Sequence, residues 1–120
     1  MIESIISMEL PAGGHLAIRR NRICPEQETK QCRRISLVSG IHGDELEGQY
    51  ICYETARRVK EHPEYLKGIV DIYPALNPLG IDMASRTVPR LEMDMNRMFP
   101  GDASGDMMER ITAAVVDSII

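Results

Sequence analysis

The 120-residue sequence has no apolar run that approaches the ~20 residues needed to cross a bilayer. A membrane-spanning role is not expected. It has no basic excess either: 14 Lys and Arg stand against 18 Asp and Glu, a net charge of −4. Nucleic-acid binders need a basic face to displace phosphate counterions, so a general role of that kind is excluded. The basic residues that do occur are scattered, as Arg19, Arg20 and Arg22 and as Lys30, Arg33 and Arg34, and read as solvated strand and loop faces. No Cys-x-x-Cys pair is present, and Cys24, Cys32 and Cys52 are odd in number. That argues against a disulfide framework and for structural thiols in a reducing compartment. Residues 1–10 carry Glu3 and Glu9 but no basic side chain, so no secretory leader is expected and the cytoplasm is the expected location. Low-complexity tracts and internal repeats are absent. What remains, 43% hydrophobic and 27% charged, is the composition of one ordinary globular domain.

The turn residues divide the chain. Leu10 to Gly14 reads as a turn, and His15 to Ile23 as an exposed, partly alternating strand. Pro25 to Gln31 is polar and reads as a loop. Ile35, Leu37 and Val38 lie in a short strand, Arg33 to Ser39, expected to enter a buried sheet. A helix is expected from about Glu45 to Glu61, N-capped by Asp44, with Leu46, Tyr50, Tyr53 and Arg57 on a half-buried face. Proline after His62 ends it. Ile69 to Tyr73 is a clear strand. The stretch from Pro74 to Pro100 is long and irregular, which is uncommon unless it is functional. The six methionines between Met83 and Met108 read as core and loop packing rather than a soft-metal site. A final helix from near Ser104 or Gly105 presents Met108, Ile111, Ala114, Val115 and Ile119 on one face. Strand–helix–strand order predicts an α/β layered fold with a mixed, partly parallel sheet.

Two stretches carry chemistry. Gly40-Ile41-His42-Gly43-Asp44-Glu45 lies where a strand end opens into a helix, the side of a parallel sheet that binds ligands. Imidazole and carboxylate are both zinc ligands, and a spacing of three lets one turn aim His42 and Glu45 at one point. Asp44 is a candidate to orient the imidazole. The plainer alternative is that Asp44 and Glu45 favour the positive helix end and His42 is a satisfied loop residue. In the second stretch, Asp94 to Gly101, Asn96 and Arg97 can grip a carboxylate through a forked pair of bonds and an amide donor. Arg86 and Arg90 lie upstream. Here the alternative is that Arg97 pairs with Asp94 or Glu92 on the surface.

In order along the chain, His42-Gly43-Asp44-Glu45, Asn77-Pro78, Ser85-Arg86-x-x-Pro89 and Asp94-Met95-Asn96-Arg97-x-Phe99-Pro100-Gly101 resemble the succinylglutamate desuccinylase/aspartoacylase family, relatives of the zinc carboxypeptidases. The resemblance runs from about Ile35 to Ile120. It implies a three-layer, carboxypeptidase-like fold of which residues 1–120 are the N-terminal, apparently truncated part. It implies zinc as cofactor and hydrolysis of the amide bond of small N-acyl amino acids. His42 and Glu45 match two zinc ligands. Arg86 matches the arginine that polarises the scissile carbonyl, with Arg90 a second candidate. Asn96 and Arg97 match the substrate-carboxylate pair, and Asp94 is expected to hold the loop in shape. Zinc would make a water nucleophilic near neutral pH, and Arg86 would help stabilise the tetrahedral intermediate.

The resemblance also calls for a third zinc ligand, a histidine on the strand after the last helix, and for a catalytic glutamate farther on. Neither has a counterpart here. His15 precedes the motifs, and His62 would lie ~25 Å away along the first helix at 1.5 Å per residue. Glu47 and Glu54 are available carboxylates, but the resemblance assigns the base to neither. The isolated chain is therefore expected to be inactive or nearly so. Two other readings stand beside this one. One is a non-catalytic module that keeps the carboxylate grip. The other is an assembly piece whose last helix pairs with another chain, as in a homo-oligomer, although an open sheet edge alone also promotes association.

Overall fold

The computed structural model describes residues 1–27 and 31–120. Lys30 and the middle of the expected Pro25–Gln31 loop lie outside the described residues. Among the described residues four strands form one sheet: β1 (Ile2–Glu9), β2 (His15–Ile23), β3 (Arg34–Val38) and β4 (Ile69–Tyr73), in spatial order β1-β2-β4-β3. β1 and β2 are antiparallel, β2 and β4 antiparallel, and β3 and β4 parallel. The helices are α1 (Glu47–Glu61), α2 (Pro78–Met83) and α3 (Met107–Ile119). The sheet is mixed and the class is α/β, as the element order predicted.

Side-chain alternation splits the sheet into two faces. Leu16 and Ile18 of β2 and Tyr73 of β4 pack with Met108, Ile111 and Val115 of α3, and with Leu76, Val88 and Met95 from the long connection. The Tyr73 hydroxyl reaches Ser118 Oγ at 2.8 Å and the Ser118 carbonyl at 3.1 Å. On the opposite face, Val70 and Ile72 pack with Cys52 of α1. The sheet thus lies between α1 and α3, in three layers.

α3 begins where its residues dictate. The Asp106 carboxylate accepts from the Glu109 backbone N–H while Glu109 accepts from the Asp106 N–H. This reciprocal cap satisfies two donors that the first helical turn leaves free.

Several expectations need correction. β1 is an additional strand. β2 is interior rather than exposed, because β1 covers one edge and β4 the other; Leu16 and Ile18 are buried. β3 is an edge strand rather than a buried one, and Ile35 is 59% exposed. Finally, α1 starts at Glu47 and not Glu45, with Leu46 rather than Asp44 at its N-cap. Leu46, Tyr50 and Tyr53, expected on a half-buried face, are all exposed; Cys52 is the residue that α1 buries.

The arginines of β2 are likewise not simply solvated. Arg22 is the cross-strand partner of Asp71 and forks onto that fully buried carboxylate, Nε to Oδ1 at 2.7 Å and Nη2 to Oδ2 at 2.6 Å. Arg20 and Arg34 each approach Asp71 Oδ2 to 3.9 Å, and Arg20 also pairs with Glu3 of β1. A buried carboxylate is tolerable only when paired in this way. The cluster ties β1, β2, β4 and β3 together across the sheet. Arg34 also donates to the Ile119 carbonyl and so reaches the end of α3.

Candidate functional site

β3 and β4 run parallel, so their carboxyl ends open on the same side. The chain leaves β3 through Gly40, at φ +71°, where a Cβ would lie 2.9 Å from the Pro74 carbonyl oxygen. Only glycine meets both the left-handed backbone and that close approach. Gly43 is tighter still, since a Cβ there would lie 2.0 Å from the Gly80 carbonyl carbon. The turn bearing His42 therefore lies flat against α2. This contact explains why α1 starts late: residues 41–46 are held as a turn across α2 instead of winding into the helix.

Asn77 locks the arrangement. It is buried. Its side-chain amide donates to the Ile41 carbonyl at 3.2 Å and the Thr87 carbonyl at 3.3 Å, and its oxygen caps α2 by accepting from the Gly80 N–H at 2.8 Å. The Gly43 N–H donates to the Ser85 carbonyl at 2.8 Å. The His42 turn and the Ser85-Arg86 segment are thus joined at two points. The Asn77-Pro78 motif alone assigns Asn77 no such role. The available signal was an N-cap residue followed by proline at the first helical position.

The long connection folds back to supply the other side. It is not structureless: α2, a Val88–Met93 bridge and a 3₁₀ turn at Met95–Arg97 subdivide it. Asp94 caps that 3₁₀ turn, its Oδ1 accepting from the Asn96 N–H at 3.0 Å. The same Oδ1 lies 2.9 Å from His42 Nε2. His42 Nδ1 faces Glu45 Oε1 at 3.5 Å. Arg86 reaches Glu45 Oε1 at 3.5 Å and Asp94 Oδ2 at 3.8 Å. Arg97 Nε stands 3.9 Å from Asp94 Oδ2, and the Arg97 side chain is otherwise 84% exposed. Asn96, His42, Glu45 and Glu47 line a hollow of about 370 Å³ at the end of β3, together with Val38 to Ile41 and Gly48.

His42, Glu45, Asp94, Arg86, Asn96 and Arg97 therefore converge. Asp44 does not join them; it is exposed, and the carboxylate hydrogen-bonded to His42 is that of Asp94. The turn through Gly43 leaves Asp44 outside, while the connection that follows β4 brings Asp94 in. Among the described residues Arg90, at φ +70°, has no ion pair in this group, whereas Arg86 pairs with both Glu45 and Asp94. The Asp94 carboxyl is held below the usual carboxylate range, first by the hydrogen bond from His42 and then, against some desolvation, by the Asn96 N–H and by the charges of His42 and Arg86.

In its neutral form with the Nε2 proton directed at Asp94, the form able to bind a metal, His42 would turn the Nδ1 lone pair toward the Glu45 carboxylate. In that form the two acceptors, 3.5 Å apart, would repel unless a cation, a proton or a metal ion, lay between them. Two donors in a tetrahedral zinc site, each about 2.0–2.1 Å from the ion, are separated by about 3.3 Å. The pair fits zinc, and Asp94 stands where a carboxylate fixes the tautomer of a metal-binding histidine. Among the described residues, no group of three or more His, Cys, Asp or Glu side chains converges as a metal site. None of the helices among the described residues is long and apolar enough to cross a membrane.

Residues 31–119 match the family described as the succinylglutamate desuccinylase/aspartoacylase catalytic domain. Over 75 residues the chain is 36% identical to the N-alpha-acetyl-L-2,4-diaminobutyric acid deacetylase of Halomonas elongata, a stretch covering 62% of this chain and 21% of that protein. Two solved structures share the fold. The succinylglutamate desuccinylase/aspartoacylase of Rhodobacter sphaeroides superposes with a TM-score of 0.72 at 32% identity, over 90% of this chain and 31% of that one. The product-bound ectoine utilization protein EutE of Ruegeria pomeroyi gives 0.73 at 28% identity, over 90% and 32%. The chain spans about a fifth to a third of the length of these relatives.

Proposed function

The chain belongs to the succinylglutamate desuccinylase/aspartoacylase family, and from that membership we propose that it supplies the zinc-donor turn and the carboxylate grip of a hydrolase acting on N-acyl amino acids. The observation that carries the reading is the opposition of His42 Nδ1 and Glu45 Oε1 at 3.5 Å, with His42 Nε2 tied to Asp94. A zinc ion held there would supply a Lewis acid and an acidified water at neutral pH. The remaining roles fall to the protein's own groups. Asp94 keeps the His42 proton on Nε2, so that Nδ1 stays a donor to metal. Arg86, beside Glu45 and Asp94, directs positive charge toward the oxygen of the scissile carbonyl as negative charge develops on it. Asn96 and Arg97 hold the substrate carboxylate. Asp94 steadies Arg97 through Nε, which leaves its terminal nitrogens for a forked contact. The named substrate of the Halomonas relative, an acetylated diamino acid, belongs to the same chemical class. A cytoplasmic location suits such metabolism.

Two donors hold zinc weakly, so hydrolysis by this chain alone is expected near background. The exposed Arg97 beside Asn96 also supports a second reading, a module that binds small carboxylates without metal. One experiment separates the two. N-acetyl-L-norvaline is titrated into the chain and into Arg97→Ala, with and without zinc, followed by NMR shifts and by release of free amine. Binding weakened about tenfold or more in the variant, the effect of losing one charge-assisted contact, and strengthened by zinc supports the hydrolase reading. Binding indifferent to zinc supports the module. No loss in Arg97→Ala contradicts both.

A further inference from the structure

The charges around the hollow do not all find partners. Glu45 faces Arg86 and His42, each at 3.5 Å. Asp94 faces His42 at 2.9 Å, Arg86 at 3.8 Å and Arg97 at 3.9 Å. Glu47 differs. It lines the same hollow from the first turn of α1, it is exposed, and among the described residues no hydrogen bond or ion pair engages its carboxylate. Glu47 therefore adds to the hollow it shares with Asn96 a negative charge that no basic side chain among the described residues pairs.

We propose that Glu47 makes this site selective for N-acyl amino acids whose side chain ends in a cation. The inference rests on the hydrolase reading and names its substrate class. With the substrate α-carboxylate on Asn96 and Arg97, a side chain running along the hollow toward α1 meets Glu47. An amine or guanidinium there gains an ion pair. A neutral side chain gains nothing, and a second carboxylate is repelled. The position also suits the positive end of α1, and that effect alone would change helix stability without sorting ligands.

The test is an NMR titration of the full chain at low ionic strength with N-acetyl-L-ornithine, N-acetyl-L-norvaline and N-acetyl-L-glutamate. The first two differ only in the terminal amine. Binding in the order ornithine, norvaline, glutamate is expected, with about a five- to tenfold step between the first two that shrinks as salt is added. Glu47→Gln should bring the ornithine-to-norvaline ratio close to one, and Glu47→Lys should invert it. Equal binding of the two by the unaltered chain, or an unchanged ratio in Glu47→Gln with only the melting temperature moved, overturns the proposal and leaves the carboxylate grip standing. Failure of all three compounds to bind overturns the grip and the selectivity together.

Discussion

The two faces of the sheet are finished to different degrees. On the α3 face, nine residues from β2, β4, α3 and the long connection are buried together, and Met8, Met98 and Phe99 close around them. On the α1 face only Cys52, Val70 and Ile72 are buried among the described residues, while Leu46 at the N-cap and Tyr50, Ile51 and Tyr53 of α1 stay 57–65% exposed. Both helices are amphipathic in sequence. The difference is whether another element covers the apolar stripe, and helix periodicity carries no information about that. Stability should therefore be concentrated on the α3 face and in the charged seam beside it.

Breaking the seam should cost most. Asp71→Ala leaves Arg22, Arg20 and Arg34 without their shared buried counter-charge, for an expected loss of about 3–5 kcal/mol, read as a lowered urea midpoint. On the α3 face, Ile111→Ala empties a fully buried site and should cost about 2–5 kcal/mol. Cys52→Ala on the α1 face removes one buried sulfur and should cost about 1 kcal/mol. Tyr53→Ser, on the exposed stripe, should stay within about 0.5 kcal/mol. If Tyr53→Ser destabilised the chain as much as Ile111→Ala does, something would have to cover α1 in solution, and the contrast between the faces would fail.

The acid response sharpens the contrast at the site. Asp94 is depressed in the folded chain, so its contribution is fully present above its unfolded value near ~3.9. It is lost as pH falls through the lower folded value. Asp94→Asn should remove that part of the acid limb. An unchanged limb in the variant would mean that the bond to His42 does not hold the loop.

The local parts of the fold and site were the legible ones. The three-residue spacing of His42 and Glu45, the glycines around them and the strand before them all lie within one turn. The carboxylate partner of His42 was not legible, because Asp94 is 52 positions away and Asp44 is adjacent. Its neighbours in sequence point Asp94 to its own loop, where it caps the 3₁₀ turn, and carry no sign of the bond to His42. β1 escaped for a different reason. Its register shifts between Ser4 and Ile6, which sets Ile5 beside Ile6 and breaks the period of two that marks a strand. The interior place of β2 depends on β1 and on β4 crossing to its other side, neither of which its own residues encode. The exposed tyrosines of α1 misled because an apolar stripe shows only that a face can be buried.

The most direct test of the account is a zinc titration of the purified chain beside His42→Ala, Glu45→Gln and Asp94→Asn. The account predicts weak one-to-one binding by the unaltered chain, lost in the first two variants and weakened about 10- to 100-fold in the third, as expected for the carboxylate behind a metal-binding histidine. Binding that survives in His42→Ala, or that ignores Asp94, would contradict it.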